Sequence, residues 1–205
     1  MSESTPTYAS TDRSALRTQL RQRRRALDTQ QQQQHAEACA RQLFHHATFR
    51  NAGRIAAYLP ADGELDPTPL IERAWAMGKR VYLPVLLPHG ARRLWFARYT
   101  PDTHLIRNRF GIPEPARAVR TRIAPLSLDL VLMPLVGFDA DGHRLGMGGG
   151  FYDRSFAYLL QHKHWLQPRL IGLAHDFQRQ AHLPQQAWDV PLHAVATERR
   201  LYHCR

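Results

Sequence analysis

Leu145-Gly146-Met147-Gly148-Gly149-Gly150-Phe151-Tyr152-Asp153-Arg154 decides how the rest of the chain is read. Four glycines occupy five positions, and an aromatic pair and an acid follow them. Just upstream, Leu130-Val131-Leu132-Met133-Pro134-Leu135-Val136 has the composition of a buried strand. Just downstream, Phe156, Leu159 and Leu160 recur at helical spacing within residues 151–160. The order strand, glycine loop, helix leaves unpaired amides and the positive end of a helix dipole facing whatever occupies the loop. Phosphate suits such a place, and a tight structural turn is the competing reading. The loop is neither standard phosphate motif. A Walker A loop needs Lys and then Ser or Thr after its last glycine, where Phe151 and Tyr152 stand. The dinucleotide fingerprint needs two residues between its second and third glycines.

The 205 residues are enough for one large domain with a sizeable core, and 43% hydrophobic content is ordinary for a globular chain. No apolar run approaches the roughly 20 residues that span a bilayer. Residues 1–10 are polar, lack the apolar centre of a signal peptide and are expected to be disordered, leaving residues 11–205 as a single α/β domain. Two cysteines, Cys39 and Cys204, make no disulfide framework and no zinc-ligand spacing. The net charge of +11 is almost wholly arginine, since Lys79 and Lys163 are the only lysines. A basic chain favours anionic partners such as nucleotides, nucleic acid or polycarboxylates. The arginines are dispersed, without the aromatic interleaving of a single-strand binder.

Before the glycine loop, a helix capped by Ser10, Thr11 or Asp12 carries Leu16, Leu20 and Leu27 on one face. Arg13, Arg17, Arg21 and Arg24 fall on a neighbouring face, either a solvated charged face or a basic ridge at the rim of the core. The Gln30–Gln34 run reads as helical surface or a helix junction, and a second helix runs from Ala36 to Phe49. Arg54–Leu59 reads as a strand, 66–78 as a helix that stops at Gly78, and Lys79–Val85 as the next strand. That is a right-handed βαβ unit. Its loops lie at strand carboxyl ends, where open α/β sheets bind ligands, and Glu64 sits in one of them, where a loop glutamate is more often solvated than functional. Leu94–Tyr99 is a further strand, Asn108–Pro115 a structured loop, Arg169–Ala174 a strand, and Leu192–Thr197 closes the sheet. The closest histidine pairs, His45-His46 and His162-x-His164, lack the spacing of a helical zinc site and read as surface.

Several of these segments together resemble the 5-formyltetrahydrofolate cyclo-ligase (methenyltetrahydrofolate synthetase) family. The resemblance rests on Pro134-Leu135-Val136-Gly137-Phe138-Asp139 leading to Arg144–Arg154. It extends to Arg13-x-x-Leu16-Arg17, Tyr58-Leu59-Pro60 with Gly63-Glu64-Leu65-Asp66, Phe110–Pro115, and Leu183-Pro184 with Trp188-Asp189-Val190-Pro191 and Thr197-Glu198. It implies a three-layer αβα domain with a mostly parallel, Rossmann-like open sheet of isomerase/CoA-transferase-like topology. It implies ATP- and Mg²⁺-dependent closure of 5-formyltetrahydrofolate to 5,10-methenyltetrahydrofolate through a phosphorylated formyl group, with ADP and phosphate released.

By position, the resemblance gives ATP the stretch Arg13, Ser14, Ala15, Leu16 and Arg17, and the stretch Arg144, Leu145, Gly146, Met147, Gly148, Gly149, Gly150, Phe151 and Tyr152. It gives the folate Leu59, Glu64 and Met147 to Phe151, and magnesium Asp153 and Asp189. Arg17, Glu64 and Tyr152 are expected to be catalytic. The implied protein is a cytoplasmic monomer without membrane or obligatory nucleic-acid partner, its folate polyglutamylated or not. Three positions depart from the commoner pattern: Arg13 stands where Lys is frequent, Gly149 where many members have a basic residue, and Phe151 where Tyr is frequent. A basic nucleic-acid-binding protein and a sugar-phosphate isomerase or CoA transferase of similar topology are the alternatives.

Overall fold

The apolar runs of the sequence lie side by side in one large sheet. A computed structural model describes residues 10–86, 92–116, 118–161 and 167–204. In chain order the elements are α1 (Ser10–Arg25), α2 (Thr29–Phe44), α3 (Ala47–Asn51), β1 (Arg54–Ala56), α4 (Thr68–Ala76), β2 (Arg80–Leu86), β3 (Leu94–Tyr99), β4 (Leu105–Arg107) and β5 (Pro113–Pro115). They continue as α5 (Ala118–Thr121), β6 (Arg122–Ile123), β7 (Leu130–Pro134), β8 (Gly137–Phe138), β9 (Arg144–Leu145), α6 (Phe151–Phe156), α7 (Tyr158–Gln161), β10 (Arg169–Leu173), β11 (Ala194–Ala196) and β12 (Leu201–His203).

The large sheet has the order β12-β11-β10-β7-β1-β2-β3-β6. Strands β11 to β2 are parallel, and the outer strands β12, β3 and β6 are antiparallel to their neighbours. Ile55 pairs with Leu130 on one side and Val81 on the other, which fixes the register at the sheet centre. Alternate residues of β7 go to opposite faces. Leu130 and Leu132 join a core with Cys39, Leu43, Phe49, Leu70 and Ile71 from α2, α3 and α4. Val131 and Met133 join a core with Phe96 and Phe156, against which Tyr158 and Leu160 pack. The continuous apolar run of β7 is therefore a strand buried on both faces, as the middle layer of three requires.

α2 begins at Asp28, whose carboxylate accepts from Gln31 N at 2.7 Å while the Gln31 amide oxygen accepts from Asp28 N at 3.1 Å. That capping box makes the glutamine run helical rather than a junction. The expected helix to Phe49 breaks at His45–His46, and α3 follows. The strand expected through Leu59 pairs only as far as Ala56. The chain then folds into a loop closed by a 2.5 Å hydrogen bond from Tyr58 Oη to Leu65 O. The helix expected over 151–160 is broken at Ala157 into α6 and α7. Residues Pro113–Pro115 of the expected loop pair with β4. Leu192–Thr197 does not close the sheet: β12 lies outside it. No helix among the described residues is long and apolar enough to cross a membrane.

The expected disordered stretch lies outside the described residues except for Ser10, the first residue of α1. The side chains expected to cap α1 and the pair His162-x-His164 also lie outside them.

Candidate active site

The five parallel strands meet the chain in the order β1, β2, β7, β10, β11, yet lie as β2-β1-β7-β10-β11. Connections from β1 and from β7 therefore leave in opposite directions, and a crevice opens beyond the carboxyl ends of these two strands. A cavity of about 770 Å³ lies there. Its walls come from the loop after β1, the stretch after β7 with the glycine loop, the N-terminal half of α1, the loop at 108–113, and Gln186–Asp189.

α1 lies across this opening because Leu16 and Leu20 pack on Val136, Leu145 and Leu183. That contact turns the arginine face toward the crevice. Arg17 Nε donates to Gly146 O at 2.8 Å, tying α1 to the start of the glycine loop. Its Nη atoms make no hydrogen bond to the described residues, and burial together with the Arg13 charge lowers its pKa. Arg13 lies 3.5 Å from Asp189, and its buried Nε has no hydrogen-bond partner among the described residues. Further along the ridge, Arg21 and Arg24 reach Asp62 at 2.6 and 3.0 Å, and Arg25 joins them. Arg24 is fully buried, donates to Leu135 O at 3.2 Å and lies 4.0 Å from Glu64.

Glu64 lines the cavity with a strongly shifted carboxyl group. Burial raises it to about 7, with the Arg24 charge and a hydrogen bond from Ala61 N acting in the other direction. Tyr152 and Tyr58 sit in its field, and both phenols are pushed up, first by burial and then by the Glu64 charge. Both therefore stay neutral at physiological pH. Asp62 is its opposite. Burial would raise it, but hydrogen bonds from Arg21 and Arg25 and the nearby arginine charges hold it at about 2.

The glycine loop is shaped by two residues with positive φ, Gly148 at 93° and Gly150 at 61°. A Cβ on Gly146 or Gly148 would meet nothing within 4 Å, so the loop presents bare backbone to the cavity. Arg144 is held by Asp153 and by Val190 O, and Asp153 also accepts from Val190 N at 3.2 Å. Asp189 Oδ2 accepts from Gln186 N at 3.0 Å. Asp153 Oδ2 and Asp189 Oδ1 accept no hydrogen bond among the described residues.

Of the residues expected from sequence, Arg13, Arg17, Leu59, Glu64, Arg144, Gly146, Met147, Gly148, Gly149, Gly150, Phe151, Tyr152, Asp153 and Asp189 all line this one cavity. Ser14 and Ala15 are exposed off it, because they fall on the far side of the helix from Arg13 and Arg17. Leu16 and Leu145 are packed in the apolar cluster under α1. The six residues of α6 are too few for the dipole expected from a longer helix, so donors here are loop amides and arginines.

Sequence reasoning missed Asp62, Asn108, Phe110, Ile112 and Trp188 as cavity walls. Phe110, Ile112, Met147 and Trp188 are exposed, Trp188 at 65%. These large apolar side chains gather at one opening of the cavity. Phe110 and Trp188 stood in segments already singled out, but only the fold brings them to the same rim. Arg24 was legible as part of the basic ridge; its burial was not.

A profile of the 5-formyltetrahydrofolate cyclo-ligase family matches residues 9–198. The 5-formyltetrahydrofolate cyclo-ligase of Escherichia coli K12 is 46% identical over 184 residues, which are 89% of this chain and 98% of that one. The enzyme of Haemophilus influenzae is 41% identical over 88% of this chain and 94% of its own. Among solved structures, a 5,10-methenyltetrahydrofolate synthetase of Aquifex aeolicus superposes with a TM-score of 0.77 at 29% identity, covering 94% of this chain and 93% of that one. One from Mycoplasma pneumoniae gives 0.70 at 28% identity, covering 91% and 99%. With sequence, fold and cavity in agreement, the chain belongs to the 5-formyltetrahydrofolate cyclo-ligase family.

Proposed function

We propose that the switch-point cavity cyclises 5-formyltetrahydrofolate to 5,10-methenyltetrahydrofolate at the expense of ATP. The observation that carries this reading is the convergence, on one cavity, of Arg13 and Arg17, the bare glycine loop, Asp153 and Asp189, and a carboxyl group poised near neutrality. The chemistry needs all four. An amide-like formyl oxygen does not leave as oxide. It attacks the γ-phosphorus of ATP, forming a P–O bond as the bond to ADP breaks. N10 then adds to the activated formyl carbon and loses its proton, and the C–O bond breaks to release phosphate. No enzyme nucleophile is required, so positioning and charge neutralisation supply the catalysis.

The residues divide these tasks. The Arg17 Nη atoms and the unpartnered Arg13 Nε are donors for phosphate oxygens, and guanidinium suits them. Amides around Gly148 add further donors. Ionised Glu64 accepts the N10 proton, and Tyr152 remains a neutral hydrogen-bond donor beside it. Leu59 and the exposed ring of Phe110, Ile112, Met147 and Trp188 hold the flat folate. Gly149 contributes no side chain to the phosphates, and Phe151 contributes packing against Phe110 rather than a hydroxyl.

Magnesium fits the donor set, because Asp153 and Asp189 each keep one carboxylate oxygen without a hydrogen bond among the described residues, and the ion favours few carboxylates with phosphate and water. When bound it would neutralise phosphate charge. The open rim leaves room for a polyglutamate tail. Several arginines outside the cavity are engaged within the chain, with Arg54 on Asp129 and Arg199 on Asp176, which weakens the nucleic-acid alternative.

The deciding experiment mixes purified protein with 5-formyltetrahydrofolate and Mg-ATP and follows the near-ultraviolet absorbance of the methenyl product. Product equimolar with ADP supports the reading. No product, with folded protein and both substrates present, overturns it.

A further inference from the structure

Outside the cavity, three side chains distant in sequence come together: His35 of α2, His175 after β10, and Glu198 after β11. We propose that His35, His175 and Glu198 form a site for a divalent transition-metal ion of the zinc type, separate from the nucleotide and folate cavity.

The geometry supports it. One ring nitrogen of each histidine and one carboxylate oxygen all lie within 4.8 Å of one another. The two Nδ1 atoms are 2.9 Å apart, and His35 Nδ1 is 4.0 Å from Glu198 Oε2. In a tetrahedral site two donors about 2.0–2.1 Å from the ion lie roughly 3.4 Å apart. The 2.9 Å pair must therefore open and the 4.0 Å pair close by about half an ångström, a side-chain adjustment, for one ion to bridge them.

The tautomer is also suitable. His175 Nε2 lies 3.1 Å from Gly63 O. A carbonyl only accepts, so Nε2 carries the hydrogen and Nδ1 keeps its lone pair toward His35. A ring N–H donated to a backbone carbonyl is the usual support for a ligating imidazole. His175 is fully buried, which holds its ring in place. Glu198 is oriented in turn, its Oε2 accepting from Asp176 N at 2.9 Å. Without a metal, the His35 Nδ1 hydrogen bridges to His175. On binding, that proton leaves Nδ1 and Nε2 takes one up, so His35 remains neutral and no net charge or redox change is needed. His35 and Glu198 keep 24% and 15% of their side-chain surface exposed, which gives an ion a route in and lets water complete its coordination.

A second cluster, Asp139 with Asp141, His143 and His182, serves as the internal control. There the buried Asp139 is already occupied by the backbone amides of Asp141, His143 and Leu183 and by the His143 ring.

The test is calorimetric titration of the untagged full-length protein with ZnCl₂ in excess Mg²⁺, repeated with Co²⁺ and read by its visible d–d band. One ion per chain is expected, with histidine nitrogen in the Co²⁺ spectrum. His35→Ala and Glu198→Gln, both at partly exposed positions, should each weaken binding at least ten-fold while circular dichroism is unchanged. His182→Ala should leave affinity unaltered. No binding to the wild-type protein overturns the proposal, as does binding lost with His182→Ala but retained with His35→Ala.

Discussion

Arg24 Nη2 donates to Asp62 Oδ2 at 3.0 Å, from a side chain with no exposed surface. This contact joins the helix that carries Arg13 and Arg17 to the loop that carries Glu64. The Arg24 charge opposes the burial that raises Glu64, so removing it should move the Glu64 titration further upward. Arg24→Met should therefore lose activity several-fold at pH 7 and recover much of it at pH 9. A pH profile of kcat/KM checks this: a purely structural defect would lower the curve without displacing it. Asp62→Asn should destabilise the fold at neutral pH. Its carboxyl group is depressed from 3.8 to about 2, so its contribution is present above about pH 4 and disappears as pH falls through 2. Urea melts at pH 7 and pH 2.5 should show the two proteins converging in acid.

Glu64 has the reverse sign. Its pKa rises from 4.5 to about 7 on folding, so the folded chain favours the protonated form. The associated stability is complete below about pH 4.5 and is lost as pH rises through 7. Glu64→Gln should therefore be more stable than the parent at pH 8, by about 1–3 kcal/mol. It should also lose about 10²–10⁴-fold in kcat, because the proposed acceptor for the N10 proton is gone. A thermal melt and a steady-state assay on the same preparation test both halves.

These two carboxyl groups mark how far the sequence could be read. The strand, glycine loop and helix order, the βαβ unit and both faces of β7 follow from apolar periodicity, and they fix the fold. Arg13 and Arg17 on one helical face and Glu64 at a strand end were visible too, but a solvated surface explained them equally well, and only the family resemblance joined them, with Asp153 and Asp189, into one site. What local patterning could not supply was any relation between distant segments. Asp62 and Glu64 are two residues apart, yet one is held at about 2 and the other at about 7, because Asp62 accepts three arginine contacts while Glu64 is buried beneath them. His35 and His175 are 140 residues apart, and no spacing rule could pair them. The break at Ala157 was hidden because an apolar helical pattern continues through it.

Arg17 makes one bond to the protein through Nε, and its Nη atoms, which bond to none of the described residues, are the donors proposed for ATP. Arg17→Lys preserves charge but cannot make both contacts, since an ammonium is a single point of donation. Both Arg17→Lys and Arg17→Ala should raise KM for ATP, by about 10–100-fold for Ala, with KM for the folate much less affected. Initial-rate kinetics with each substrate varied in turn will show whether the change is confined to ATP.

Asp153 is shared between Arg144, Val190 N and the proposed magnesium. Asp153→Asn retains an oxygen for Arg144 but loses the charge a cation needs. The Mg²⁺ concentration for half-maximal activity should rise at least about ten-fold while the melting temperature falls by only a few degrees. Removing divalent ions from the wild-type protein with EDTA should abolish turnover, and added Mg²⁺ should restore it. Unchanged Mg²⁺ dependence in Asp153→Asn would take this residue out of the metal site.

The glycine loop separates backbone demand from ligand space. Gly150 has φ of 61°, and a Cβ there would lie 2.9 Å from the Arg154 guanidinium, itself bonded to Gly149 O. Gly150→Ala should thus cost about 1–2 kcal/mol from the left-handed backbone alone and lower the melting temperature. Gly146 has no positive φ, and a Cβ there meets nothing within 4 Å. Gly146→Ala should melt with the parent protein but place a methyl group beside the backbone that faces the cavity, next to the carbonyl held by Arg17. Its defect should appear in KM for ATP rather than in stability. If Gly146→Ala unfolds early and Gly150→Ala does not, the loop's glycines serve the opposite purposes from those assigned to them, and the empty space beside Gly146 is not where phosphate sits.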